Sequence, residues 1–309
     1  NILVPFNFSK ILDAIPELKS NHIILSNIST RKPIDSSNMN SMNWIEIANL
    51  IKNNYTAYDS FVILHGTDTM AYTASALSFM LENLDKAVIL TGSQIPIGER
   101  RTDAKENLIT SVEIASSEKI NEVCIYFEDQ LYRGNRTVKI NTEYFKAFSS
   151  PNFPVLAEAG VNIKYHNYQK KINKELKVHT KISNDIAILK LFPGITIETM
   201  EAILNSAKGI VIESFGAGNA SNSIKFCQLL KKANKRGKIL VNISQCLHGS
   251  AVLKQYETSE TFRNSGVICG KDMTTEATVT KLMFLLGKDL TNEVIKNKLQ
   301  TNLRGEISD

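Results

Sequence analysis

The sequence has few of the residues and segments that mark specialised classes of protein. Only 4 of its 309 residues are cysteine, and no CxxC pair is present, so neither a disulfide scaffold nor a thiolate metal site is predicted. Its apolar runs, such as Phe61–Leu64 and 87–90, are far shorter than the roughly 20 residues of a membrane-spanning helix. No basic segment followed by an apolar one opens the chain, so no secretory signal is expected. We therefore expect a cytoplasmic protein that needs no metal.

Charge of one sign is also scarce. The 36 Lys and Arg residues against 31 Asp and Glu residues give a net charge of +5, spread over short patches. This balance predicts neither a nucleic-acid nor a membrane partner. With 43% apolar and 22% charged residues the composition is that of a globular protein, and the length suggests about two domains.

What the sequence does have is an alternation of short apolar runs with segments of helical period, which predicts βαβ units. The candidate strands are 22–28, 61–64, 87–90, 123–127, 186–191, 209–213 and 238–243. The candidate helices include 69–84, 198–207, 221–236, 274–286 and 291–299. Asp103 and Glu106 have the spacing of a capping box at the start of another helix.

The pattern predicts an α/β fold in two domains. A larger N-terminal α/β domain with a mainly parallel sheet is expected at 1–165, and a smaller C-terminal α/β domain at 186–309. The polar, Lys- and Asn-rich stretch at 166–185 is the expected linker.

The most informative segment is the strand Phe61–Leu64 and the polar turn that follows it. In open α/β sheets ligands bind at the carboxyl ends of the strands. Gly66 permits close approach of a ligand, Thr67 supplies a hydroxyl, and Asp68 supplies a carboxylate near the start of a helix. A helix cap made by Thr67 or Asp68 is an equally good explanation from spacing alone.

Two further polar segments are candidates for the same site. Asp35, Ser36 and Ser37 offer consecutive hydrogen-bonding side chains, although a turn and cap cluster explains them as well. Lys139 follows the strand at 123–127 and could act as a base if burial lowers its pKa. Taken alone, it is more typical of a surface lysine.

Three longer segments together resemble the L-asparaginases, in particular the cytosolic bacterial type I class. They are HGTDTMAYTASALSFMLENL at 65–84, TGSQIP at 91–96 and LYRGNRT at 131–137. Shorter matches continue at SSPN (149–152), EAG (158–160), GNA (218–220), EAT (276–278) and NLRGE (302–306). The resemblance implies hydrolysis of L-asparagine to L-aspartate and ammonia without any cofactor. It also implies self-association as a homodimer or homotetramer.

The resemblance implies catalytic roles for Thr67, Asp68 and Lys139. These positions match a group in which a threonine, an acid and a lysine move protons at the scissile amide. An alcohol needs such help, because it is a poor nucleophile until a base takes its proton. Thr67 and Asp68 are also implied to contact the substrate.

The implied substrate-binding residues select a free amino acid through its charges. Asp68 is implied to hold the α-ammonium group, which would be a charge-assisted contact. Ser36, with Asp35 and Ser37 beside it, matches the segment that binds the α-amino and α-carboxylate groups. Ser93 matches a position whose backbone lines the pocket for the side-chain amide.

The beginning of the chain departs from the family pattern. The family's opening strand ends in a Thr-Gly-Gly-Thr-like turn with the first catalytic threonine, followed by a lid that carries a tyrosine. Here 1–4 runs directly into 5–12. We hypothesise that a mobile segment between Val4 and Pro5 is missing from this sequence. If the segment does not exist, the protein binds an amino acid without turning it over; an asparaginase-like amidotransferase subunit is the other alternative.

Overall fold

The computed structural model divides into two compact units. The structure describes residues 15–18, 22–29, 33–166, 174–252 and 262–308. The first unit comprises Asn1–Ser150 and Pro154–Val178, and the second comprises Pro151–Phe153 and His179–Asp309. The expected α/β class is confirmed, whereas the domain limits at 165 and 186 stay predictions.

The first unit is built on a six-stranded sheet, with two small sheets of two strands each beside it in the described part. The ten strands of the unit in chain order are β1 Phe61–Leu64, β2 Leu81–Glu82, β3 Val88–Thr91, β4 Val123–Phe127, β5 Gln130–Arg133, β6 Val138–Lys139, β7 Phe148–Ser149, β8 Ala157–Ala159, β9 Ile163–Tyr165 and β10 Lys177–Val178. The sheet has the order β1-β3-β4-β5-β8-β9, with β1, β3 and β4 parallel and the others antiparallel. β3 and β4 are buried along their whole length, as central strands with both faces covered must be.

The described part of this unit contains three α-helices. They are α1 Ser41–Asn54, α2 Met70–Met80 and α3 Ala104–Ser116. The Asn40 side chain caps α1 and forms a capping box with Asn43. α2 is buried on almost every side because its small residues permit close approach: a Cβ on Gly134 would lie 3.0 Å from the Ala74 Cβ.

The second unit contains a smaller, fully parallel sheet. Its strands are β11 Ile186–Lys190, β12 Gly209–Ser214, β13 Ile239–Ser244 and β14 Ile268–Cys269, hydrogen-bonded in that order. Its helices are α4 Ile197–Ser206, α5 Ile224–Lys235, α6 Thr275–Leu286 and α7 Asn292–Gln300. Ile210, Ile212 and Leu240 of the sheet form a core with Phe226 of α5. Burial of this apolar surface is the main favourable contribution to folding.

Most predicted elements are found within a residue or a few of their expected limits, but the strand expected at 22–28 is wrong. Residues 23–29 form no regular secondary structure. The alternation that suggested a strand is real: Ile23 and Leu25 pack against Leu108 and Val112, whereas Ile24 is 94% exposed. An alternating pattern indicates that one face of an extended segment is buried. The segment is a strand only if a neighbouring strand pairs with it, and the pattern does not show whether one does.

The helix expected at 69–84 ends earlier than predicted. α2 stops at Met80, and β2 then pairs with β10 in antiparallel register, Leu81 opposite Val178. β10 lies inside the segment expected to be a linker, so this part of the segment is tied to the first unit.

Candidate active site

The turn after β1 is fixed by close contacts that only glycine allows. A Cβ on Gly66 would lie 2.5 Å from the Ser36 Oγ, and a Cβ on Gly92 would lie 2.2 Å from the His65 carbonyl oxygen. Both distances are shorter than any real contact of a Cβ. The glycines therefore let three segments meet: the polar turn after β1, the turn after β3 and the segment around Ser36.

Thr67, Lys139 and Asp68 form the polar centre of this region. The Lys139 Nζ donates one hydrogen bond to the Thr67 Oγ1 at 2.8 Å and another to the Asp68 Oδ1 at 2.7 Å. The Lys139 side chain is 17% exposed and the Asp68 side chain 63%. A half-buried ammonium group thus links a hydroxyl to a carboxylate that solvent can reach.

This arrangement decides two of the alternatives left open by the sequence. The residue that caps α2 is Thr69, and it makes no side-chain capping bond, so Thr67 and Asp68 are not the caps of that helix. Lys139 is not an ordinary surface lysine, because β6 pairs it with Phe148 of β7 and points its ammonium group at Thr67.

The segment around Ser36 lies against the same turn. Ser36 is buried, and its carbonyl oxygen accepts a hydrogen bond from the Thr69 Oγ1 at 2.7 Å. Asp35 caps the short 3-10 helix Ser36–Asn38 by accepting bonds from the Ser37 N and Oγ. Those bonds lower the pKa of the Asp35 carboxyl. Asp35 and Ser37 therefore form the turn cluster that was the structural alternative, while Ser36 touches the site.

Gln94 belongs to the site and was not among the predicted residues. Its Oε1 accepts a hydrogen bond from the Thr67 hydroxyl at 3.3 Å, and its Nε2 donates one to the Tyr144 carbonyl oxygen at 3.1 Å. Gln94 follows Ser93 in the TGSQIP segment, so the sequence contained a signal for it. What the sequence could not show is that the side chain, rather than the backbone, faces Thr67.

Asp103 holds the turn that carries Gln94. Its carboxylate accepts bonds from the backbone N–H groups of Gln94 and Ile95, all at 3.0 Å. The capping box expected with Glu106 is therefore wrong: Asp103 begins α3 but makes no side-chain capping bond to it. Within the described residues, the Ser93 side chain makes no hydrogen bond to Thr67, Asp68 or Lys139.

Other kinds of site were sought over the same residues. No cluster of three or more His, Cys, Asp or Glu in the described ranges has the geometry to bind a metal ion. None of the four cysteines, all of which lie in the described ranges, forms a disulfide. None of the described helices combines the length and the apolarity needed to cross a bilayer.

Comparison with known proteins agrees with the fold and the motifs. The family model "Asparaginase, N-terminal" matches residues 1–171, and "Glutaminase/Asparaginase C-terminal domain" matches 185–299. L-asparaginase 1 of Escherichia coli K12 is 46% identical over 278 residues, which cover 89% of this chain and 82% of that protein. The crystal structure of L-asparaginase I from Vibrio cholerae superimposes with a TM-score of 0.92 at 42% identity, covering 99% of this chain and 94% of that one.

A relative with a different name is more distant. One subunit of the glutamyl-tRNA(Gln) amidotransferase of Pyrococcus abyssi is 33% identical over 321 residues, which cover 98% of this chain and 71% of that protein. Fold and site thus define a two-unit α/β protein with a threonine, a lysine and an aspartate at the carboxyl end of its first sheet strand. The chain belongs to the asparaginase family, which confirms the resemblance found in the sequence.

Proposed function

We propose that the protein hydrolyses the side-chain amide of L-asparagine to give L-aspartate and ammonia. The observation that carries the proposal is the position of the Lys139 Nζ, within hydrogen-bond distance of both the Thr67 hydroxyl and the Asp68 carboxylate. The names of the relatives with 46% and 42% identity support the same reaction. No cofactor enters the reaction, which needs only water and proton transfer.

We assign the proton transfers of a threonine-based reaction to Thr67, Lys139 and Asp68. Amide hydrolysis requires that the attacking hydroxyl lose its proton and that the amide nitrogen gain one, so that ammonia can leave. Once the Lys139 ammonium has passed one proton to the Asp68 carboxylate, the neutral amine that remains can take the proton of the Thr67 hydroxyl. The first catalytic threonine implied by the resemblance has no counterpart in this sequence, because residues 1–14 contain no threonine. By our hypothesis it belongs to the segment missing between Val4 and Pro5, two residues that lie outside the described ones.

Recognition of the substrate as a free amino acid is assigned to the groups around this centre. The exposed Asp68 carboxylate suits the α-ammonium group, since a charge-assisted hydrogen bond is about twice as strong as a neutral one. Ser36 lies beside Gly66 and suits the α-carboxylate, with Asp35 and Ser37 supporting its turn. Ser93 is assigned to the amide pocket.

We further propose that the protein works in the cytoplasm and associates with itself as a homodimer or homotetramer, with neither nucleic acid nor membrane as a partner. The four cysteines, none of which forms a disulfide, support a reducing compartment. Three large apolar side chains exposed on the second unit, Phe192, Phe215 and Leu247, support self-association.

The test is ammonia release from L-asparagine, with L-glutamine in parallel, by protein made from the full gene. We expect turnover of asparagine that Thr67→Val abolishes. Thr142→Val is the matched control, because Thr142 is exposed in the loop after β6 and its loss should leave turnover within twofold. Turnover that persists in Thr67→Val would contradict the assignment.

The same assay separates the two alternatives. Asparagine binding without ammonia release would show the amino-acid-binding protein expected if the segment between Val4 and Pro5 does not exist. Activity that rises on addition of a partner protein would favour the amidotransferase role, which the similarity to the Pyrococcus abyssi protein suggests.

A further inference from the structure

His65 lies next to the catalytic turn and has no part in the mechanism described above. It is the middle member of a chain of hydrogen bonds that begins on α1. The Trp44 Nε1 is 3.0 Å from the Thr73 Oγ1, the Thr73 Oγ1 is 2.9 Å from the His65 Nε2, and the His65 Nδ1 is 2.6 Å from the Gly66 carbonyl oxygen. Trp44 and Thr73 are buried.

The chemistry of the two ends fixes the direction of every bond in this chain. A carbonyl oxygen only accepts, so the His65 Nδ1 must carry a hydrogen. An indole N–H only donates, so the Thr73 oxygen accepts from Trp44. Of the two atoms hydrogen-bonded to that oxygen among the described residues, only the His65 Nε2 can accept the hydrogen of the Thr73 hydroxyl. That hydrogen needs an unprotonated nitrogen as its acceptor. His65 is therefore a neutral imidazole in the Nδ1–H tautomer.

The charge state agrees with the surroundings of the ring. Burial lowers the pKa of His65 below its ordinary value, since desolvation disfavours the imidazolium. A hydrogen added at Nε2 would also point at the Thr73 oxygen and leave the buried Thr73 hydroxyl hydrogen without an acceptor.

The Gly66 carbonyl at the end of this hydrogen-bond chain matters because it is covalently bonded to the nitrogen of Thr67. The Gly66 carbonyl and the Thr67 N–H belong to one planar peptide unit, so holding the carbonyl fixes the plane from which Thr67 projects. Gly66 tolerates many backbone conformations, and this freedom makes the position of Thr67 sensitive to such an anchor. On its other side Gly66 packs against Ser36.

We propose that His65 is a positioning residue: as a neutral Nδ1–H imidazole it ties the Gly66–Thr67 peptide to Thr73 on α2 and Trp44 on α1, and so places the Thr67 hydroxyl. This inference rests on the proposed function for its effect on rate. The tautomer of His65 and its hydrogen bond to the Gly66 carbonyl do not depend on which reaction the protein catalyses.

The first experiment reads the tautomer of His65 in the unmodified protein. Long-range 1H–15N spectra at pH 7.5 contain signals from five histidines, and the set that disappears in His65→Gln identifies His65. We expect an unprotonated Nε2 and a protonated Nδ1, which is the less common tautomer of free histidine. A protonated Nε2, in either the other tautomer or the imidazolium, would overturn the proposal.

The second experiment tests positioning through Thr73. Thr73→Val keeps the shape of the side chain and removes the donor to His65, and we expect kcat to fall about fivefold with KM within twofold, as for one lost neutral hydrogen bond. Thr73→Ser restores the hydroxyl and should restore kcat. Thr280→Val is the matched control, since Thr280 is also buried in a helix but its hydroxyl bonds the Glu276 carbonyl of its own helix.

Equal losses in Thr73→Val and Thr73→Ser would show a packing effect and overturn the proposal, as would an unchanged kcat in Thr73→Val. Unmodified protein that releases no ammonia would instead overturn the proposed function. The spectrum of His65 would still decide the tautomer and its hydrogen-bond network in that case.

Discussion

Among single side chains, Lys139 is the one whose neighbours are most informative about the reaction. Its ammonium group donates hydrogen bonds to both the Thr67 hydroxyl and the Asp68 carboxylate. Lys139→Met keeps most of the length of the side chain and removes the group that moves the proton. We expect kcat for asparagine to fall about 10²- to 10⁴-fold, the usual contribution of a positioned acid or base. Steady-state ammonia release measures this.

Lys146→Met is the matched control for that experiment. Lys146 is exposed in the loop between β6 and β7, and its replacement should change kcat by less than twofold. A Lys139→Met enzyme with more than a tenth of the original kcat would mean that the proton moves by another route.

A second residue-scale prediction concerns stability. Lys281 and Glu306 are both fully buried and form an ion pair of 2.5 Å, and the Lys281 Nζ also donates to the carbonyl oxygens of Leu299 and Thr301. Lys281→Met leaves a buried carboxylate without its partner. We expect the free energy of unfolding to fall by about 3–5 kcal/mol, measured by denaturant titration. Exposed Lys231→Met on α5 should stay within about 0.5 kcal/mol, and equal effects of the two substitutions would refute the argument.

At the level of elements, the first turn of α6 contains Glu276, whose burial disfavours its ionised form. Burial is the main reason why the pKa of Glu276 is raised from 4.5 to about 7; the Glu213 carboxylate acts in the same direction, and hydrogen bonds from the backbone of Glu276 and from the Thr274 side chain oppose the rise. In the unfolded chain Glu276 ionises near 4.5. The folded protein therefore binds the Glu276 proton more tightly than the unfolded chain does. This contribution to the free energy of unfolding is fully present below about pH 4.5 and is lost as the pH rises to about 7.

This linkage predicts how Glu276→Gln behaves. The amide is neutral at every pH, so its advantage over the natural residue should grow between pH 5 and pH 8 to ~2 kcal/mol in the free energy of unfolding. Thermal unfolding of both proteins at the two pH values measures it. Glu293→Gln is the control: Glu293 is exposed in the first turn of α7, whose Thr291 cap resembles that of α6, and its replacement should change the free energy of unfolding by less than about 0.5 kcal/mol at both pH values. An advantage of Glu276→Gln that is the same at pH 5 and pH 8 would contradict the raised pKa.

The sequence predicts some elements better than others. The well-predicted ones have a signal within the element itself, whereas the others depend on residues far away in the chain. The apolar strands β1 and β4 have the predicted limits because a run of apolar residues is a local signal, although only β4 is buried along its length. β2 and β10 pair residues almost a hundred positions apart, and neither has a pattern of its own. The polar turn around Thr67 is likewise a local signal that the sequence shows directly. Its link to Lys139, 72 residues away, has no local signal, and only the family resemblance grouped the two residues.

At the scale of the whole molecule, the exposed apolar side chains of the second unit bear on assembly. Phe192, Phe215 and Leu247 follow β11, β12 and β13, and neighbouring parallel strands place their carboxyl ends at one edge of the sheet. Phe192 and Leu247 are each 54% exposed. Large apolar side chains gathered at one edge are typical of an interaction surface, and in most oligomers the partner is a second copy of the chain.

Light scattering after size exclusion should therefore give the unmodified protein a mass of two or four chains of 34.5 kDa. Phe192→Asp puts a charge on the apolar edge, where an interface would have to desolvate it, and should shift the protein to a smaller mass at equal concentration. Val161→Asp adds the same charge at a fully exposed position in the turn before β9 and should leave the mass unchanged. A monomeric unmodified protein at micromolar concentration would refute self-association, and an unchanged mass in Phe192→Asp would place the interface elsewhere, because a buried unpaired carboxylate costs several kcal/mol.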